Sequence, residues 1–181
     1  MPVNSLHTLK EIEQYHFGKN EAHLVLDTNV LLIFLVGIYD INYLRVCSLT
    51  IDGKRIYDEE DFKLVEKIIK IFPNKIVVTP HIISEVNMLS QIKINEPERL
   101  RNYFSKLIKQ LENYKEDFIP LKILLNSGGI VEFGITDISL IEIARQKKWL
   151  ILTNDSPFYY QFVDLGFVIN LDTIKVNEGL M

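Results

Sequence analysis

The sequence predicts an α/β domain built on a mostly parallel sheet of four or five strands, and three observations predict it. Short apolar runs of strand length alternate along the chain with segments of helical period. The runs are apolar throughout rather than alternating with polar residues, as in strands buried on both faces. The 181 residues suit one compact domain, with no internal repeat and no low-complexity tract.

Taken in order, Leu6 to Phe17 is expected to form an additional helix outside the core, within an N-terminal extension over 1–21. His23 to Leu26 is the first strand candidate and opens a core of about 22–171. Val30 to Tyr39 reads as a helix that is hydrophobic all round, so either the domain or a second copy must cover it. Arg45 to Asp61, with Asp52-Gly53 as a turn signal, reads as an inserted loop or small hairpin. Lys75 to Val78, Trp149 to Leu152 and Phe167 to Asn170 are further strands, and Ile130 to Phe133 a fifth candidate. Helices are expected over about 59–72, 80–92, 97–115, 137–148 and 157–165. Thr79-Pro80 and Ser156-Pro157 supply start signals, as does Thr136 before Asp137. The tail 172–181 is expected to be loosely held.

Composition narrows the function. Twenty Lys and Arg against 24 Asp and Glu leave a net charge of −4, which disfavours a general basic clamp on nucleic acid. Cys47 is the only cysteine, so neither an intrachain disulfide nor a cysteine zinc site can form, and a reducing cytoplasm is the expected location. His7, His16, His23 and His81 show no metal-ligand spacing. The longest apolar stretch, Val30 to Tyr39, is about half of the ~20 residues a membrane span needs, and the polar start of the chain lacks the pattern of a signal peptide.

The acids are placed with more purpose. The first strand runs into Asp27 and another into Thr153-Asn154-Asp155, while a third ends at Thr79-Pro80 and opens a helix carrying Glu85. The carboxyl ends of parallel strands border the crevice where such sheets bind ligands. Asp137 stands four residues before Ile141 and seven before Ala144, on the helix face that packs inward. Singly, each acid has an ordinary explanation as a turn, cap or first-turn residue. Together they require two helices to carry acids on or beside their inner faces with no matching bases, and buried charge must be paired or must hold a metal. An oxygen-only set selects hard cations such as Mg²⁺ or Mn²⁺ and suits metal-assisted hydrolysis of a phosphodiester. Without Asp27, Glu85, Asp137 and Asp155 the acids number 20, equal to the bases, so the excess charge would sit in one pocket.

LVLDTN around Asp27, TPHIISEV around Glu85, GITDISLIEIA around Asp137 and LTNDSPFYY around Asp155, in that order, resemble a PIN domain over roughly 22–171. The resemblance implies a three-layer α/β/α fold and a divalent-metal endoribonuclease whose acids Asp27, Glu85, Asp137 and Asp155 bind Mg²⁺ or Mn²⁺. It gives Asn29 and Thr153 supporting places, where the plain alternatives are an N-cap and a strand-end hydroxyl. It implies a homodimer and, for a toxin of the VapC type, an antitoxin partner. The N-terminal extension and the 45–61 insertion depart from that toxin subgroup.

An RNA substrate would need a local basic patch. The helix near 97–115 offers Arg99, Arg101, Lys106 and Lys109, which read equally as an ordinary solvated face. Two other functions compete. An aspartyl-phosphate hydrolase of the haloacid dehalogenase type wants a second Asp two residues after Asp27, where Asn29 stands. An inactive PIN-like nucleic-acid-binding or scaffold module would keep the fold without the chemistry.

Overall fold

Leu24, Val25 and Leu26 form the middle strand of the sheet, β1 (Leu24–Leu26), flanked by β2 (Ile76–Val78) and β4 (Leu150–Thr153), with β3 (Lys115–Glu116) and β5 (Val168–Asn170) outside them. The computed structural model describes residues 6–19, 21–44, 57–94 and 96–180. Every pairing is parallel, in the order β3-β2-β1-β4-β5, and Leu24 stands opposite Ile76 on one side and Leu150 on the other. β1, β2, β4 and β5 are wholly buried, which is why they read as unbroken apolar runs. The chain moves outward from β1 to β3, then returns to the other side of β1 for β4 and β5. That reversal opens a crevice between the carboxyl ends of β1 and β4.

Among the described residues the helices are α1 (Leu9–Gly18), α2 (Thr28–Tyr39), α3 (Glu59–Ile71), α4 (Pro80–Lys93), α5 (Pro97–Leu111), α6 (Leu121–Asn126), α7 (Ile130–Lys147), α8 (Ser156–Phe162) and α9 (Leu171–Asn177). α3, α4 and α5 pack on α2, whose residues are buried from Val30 to Gly37, so the domain itself covers this apolar helix. Gly37 permits the close approach of α3, because a Cβ there would run into the Phe62 ring. No described helix is long and apolar enough to cross a membrane.

Several expectations change. α1 belongs to the core: Leu6, Ile12 and Tyr15 are buried in it, and α1 packs on α3. Ile130 to Phe133 is helical rather than a strand, entered through Gly129 at φ 92° and followed by a break at Gly134, with φ 82° and ψ 173°. The break lies at Gly134, not at Thr136, because a glycine tolerates that backbone at no steric expense. The fifth strand is instead Lys115–Glu116, so α5 ends at Leu111, short of 115. Asp155 rather than Ser156 caps α8, accepting from the Phe158 N–H at 2.7 Å.

The tail is not loose. α9 buries Leu171 and Ile174, and Lys175 reaches Asp61 at 2.8 Å. Glu178 accepts from the Leu9 N–H at 2.9 Å, which ties α9 to α1. The expected insertion falls mostly on 45–56, outside the described residues, while Tyr57 is buried and Asp58 caps α3 through a reciprocal bond with Asp61.

Candidate functional site

Asp27 leaves β1 and precedes α2, a position where a carboxylate ordinarily caps the helix. Here its side chain makes no capping bond; Oδ2 accepts from the Thr153 hydroxyl at 2.7 Å. The residue is 6% exposed. Burial above all, with the Asp155 and Glu85 carboxylates, pushes its pKa up to about 6, against the pull of the Thr153 hydroxyl and the Thr28 N–H.

Thr153 ends β4 and is fully buried. Its hydroxyl donates to Asp27 and accepts the Asp155 N–H at 3.0 Å, so one oxygen joins the two acids across the β1–β4 crevice. Asp155 spends one carboxylate oxygen on capping α8. Glu85 comes from the second turn of α4, a helix started by Thr79, whose hydroxyl accepts the Ile82 N–H at 3.2 Å, and by Pro80. Glu85 is half-buried and accepts from the Thr28 hydroxyl at 2.7 Å.

Asp137 differs from the other three. It lies three residues past the break at Gly134, half-buried, with neither a hydrogen bond nor an ion pair among the described residues. Burial, then the charges of Asp27, Asp155 and Glu85, pushes its pKa up to about 8. That mutual repulsion places all four acids in one electrostatic neighbourhood. No described Lys, Arg or His pairs with any of them. Equally, no three His, Cys, Asp or Glu side chains are arranged to hold a metal ion among the described residues. Asp27, Glu85 and Asp155 are turned toward hydroxyl and amide donors instead. As chemistry the set still fits a hard divalent cation: it is all oxygen, partly buried and without compensating base.

Asn29 is half-buried on the first turn of α2, and it is not the N-cap, a position Asp27 fills. Two neighbours escaped the sequence reading. Thr28 holds Glu85, and the only signal was a hydroxyl beside Asp27. Asn154 is 5% exposed and bonds its amide to the Tyr57 hydroxyl, while its Oδ1 has no partner among the described residues.

The basic helix does not join the acids. Lys106 donates to the Tyr39 carbonyl at 2.9 Å, at the end of α2 that lies roughly 16 Å from Thr28 at ~1.5 Å per residue. Arg99 pairs with Glu96 at 2.7 Å and lies over the Tyr43 ring, leaving Arg101 and Lys109 exposed, with no side-chain partner among the described residues. A cleft of about 400 Å³ between α1 and α3, lined by Leu9, His16, Phe17 and Lys67, contains none of the four acids.

No family model matches the chain, and no curated protein matches it. Among solved structures it is similar to the crystal structure of PAE2754 from Pyrobaculum aerophilum, with a TM-score of 0.53 and 13% identity over 90% of this chain and 98% of that one. At that identity the likeness speaks for the fold alone, an α/β arrangement with a five-stranded, all-parallel, helix-flanked sheet of PIN-like form.

Proposed function

We propose that the chain is a divalent-metal-dependent endoribonuclease that hydrolyses RNA phosphodiester bonds in the β1–β4 crevice. The observation that carries this reading is Asp137, a carboxylate with neither donor nor base among the described residues, set in the repulsive field of three more acids. Such a group calls for a cation. Asp27, Glu85, Asp137 and Asp155 would hold Mg²⁺ or Mn²⁺, which when bound supplies an activated water and positive charge toward phosphate oxygens. The chain's own part is to fix the acids: Thr153 orients Asp27, Thr28 orients Glu85, and the cap of α8 orients Asp155. With Mn²⁺ or Mg²⁺ the protein should cut a generic RNA, and Asp27→Asn should abolish cleavage with an unchanged circular dichroism spectrum. Full activity in that variant would sink the assignment.

A second reading, an inactive PIN-like module that binds nucleic acid or acts as a scaffold, is favoured by the absence of a ready three-ligand cluster among the described residues. Mn²⁺ binding by the wild type without cleavage of any nucleic acid would select it.

The proposed function includes a homodimer. Its support is an apolar surface on neighbouring α6 and α7, where Leu121, Leu125 and Ile135 are half or more exposed or nearly so, Phe118 beside them is 64% exposed, and Val131 is fully so. A toxin role would add an antitoxin partner, which a small adjoining reading frame of that type would support.

A further inference from the structure

Asn154 is a buried amide immediately before Asp155, and no role at the crevice has been assigned to it. Its side chain is bonded to the Tyr57 hydroxyl, and Tyr57 is itself 3% exposed. One end of the amide, Oδ1, has no partner among the described residues. Turning the amide over would satisfy Oδ1 from the phenol and leave the NH₂ group unpaired instead. Either way a buried polar atom is left unmet, and a well-packed core does not keep such an atom without a reason.

Tyr57 is held firmly from its other side. Asp58, the next residue, accepts the Glu60 and Asp61 N–H groups at 2.9 and 3.0 Å, and Asp61 returns the bond to the Asp58 N–H at 3.0 Å. Asp61 is further clamped by Lys175 of α9. A rigid corner at the start of α3 therefore braces the β4–α8 turn through one side-chain bond. In that turn Thr153 faces Asp27 while Asn154 is tied to Tyr57, and Asp155 follows.

We propose that the Tyr57–Asn154 pair is a positioning device for the acid site: it fixes the backbone of the 153–155 turn so that Asp155 and the Thr153 hydroxyl meet the other carboxylates in the arrangement that binds a divalent cation. The proposal rests on the metal-site reading above. Outer partners of this kind set ligand orientation, and losing one typically weakens metal binding ~10–100-fold.

The test is a titration of the full chain with Mn²⁺ alone, following free Mn²⁺ by electron paramagnetic resonance, for the wild type and for Tyr57→Phe, Asn154→Ala and Gly37→Ala. Tyr57→Phe removes one hydroxyl and keeps the ring, while Gly37→Ala disturbs α2 against Phe62 at a distance from the acids. Tyr57→Phe and Asn154→Ala should each weaken Mn²⁺ binding by ~10-fold or more. Gly37→Ala should lower the melting temperature and leave affinity unchanged, which separates positioning from mere stability. Should Tyr57→Phe fail to fold, Asn154→Ala decides. Unchanged affinity in a folded variant overturns the proposal while leaving the metal site standing. A wild type that binds no Mn²⁺ overturns both, and the first titration reveals it.

Discussion

Thr28, the first residue of α2, donates its hydroxyl hydrogen to Glu85 of α4 at 2.7 Å, across a sequence separation of 57. The bond fastens the acid from the β2 side of the sheet to the end of β1. Thr28→Val keeps the shape and removes the donor, freeing Glu85 to turn away. We expect a ~10–100-fold loss of metal-dependent cleavage in Thr28→Val and near wild-type rates in Thr28→Ser, measured at saturating Mn²⁺. Equal losses in both variants would mean that packing, not the hydroxyl, matters there.

The raised carboxylates make the metal-free protein sensitive to alkali. Asp27 and Asp137 move from an ordinary value of 3.8 to about 6 and about 8 in the folded state, so the fold binds their protons more tightly than the unfolded chain does. Their contribution to stability is complete below about pH 4 and is lost as pH rises through 6 and 8. In a chelator, Asp137→Asn should melt several degrees above the wild type at pH 8 and close to it at pH 4, given ~2–4 °C per kcal/mol for a domain of this size. Saturating Mn²⁺ should reverse the order at pH 8. A wild type that gains stability relative to Asp137→Asn between pH 5 and 8 without metal would contradict the electrostatic account.

The apolar surface of α6 and α7 gives a prediction about assembly. Leu125→Lys with Val131→Glu places charge on two of its exposed positions, 64% and 101% exposed, without touching the core. Light scattering behind size exclusion should find a dimer for the wild type and a folded monomer for the double variant. A monomeric wild type at high concentration would remove the dimer.

Lys175 reaches Asp61, which is 2% exposed by side chain, so Lys175→Met leaves a buried carboxylate without its base. The expected loss is ~3–5 kcal/mol, read from urea unfolding, because removing one partner of a buried pair strands the other charge. Asp61→Asn in the same background should recover part of it.

Much of this was legible in the sequence, for physical reasons that also explain the failures. β1, β2, β4 and β5 are buried on both faces, so their apolar runs marked them to within a residue of their ends. Asp27, Glu85, Asp137 and Asp155 stood out because each interrupts an apolar pattern. β3 carried no such mark, since Lys115 and Glu116 are exposed and only pairing with Val77 and Val78 makes them a strand. Ile130 to Phe133 mimicked a strand because a single helical turn bounded by glycines has no room to show its period. α9 is seven residues long, too short for periodicity to distinguish it from a frayed end. The contacts of the basic residues on α5 were not legible, because charge in a sequence does not reveal a partner: Lys106 donates to the carbonyls that end α2, and Arg99 pairs with Glu96.

The all-parallel sheet also governs when the crevice comes into being. Asp27 and Thr153 are 126 positions apart, and β1 has no hydrogen-bonding strand beside it until β2 and then β4 have been synthesised. A chain leaving the ribosome therefore carries the apolar α2 and the first acid long before the last acid exists, and long-range parallel pairing closes slowly. On the proposed activity, the nascent chain is harmless to the messenger that encodes it. The price is a stretch of synthesis in which Val30 to Gly37 lies uncovered, so the demand on chaperones should fall between the emergence of α2 and that of α5, the last of the three helices that pack on it.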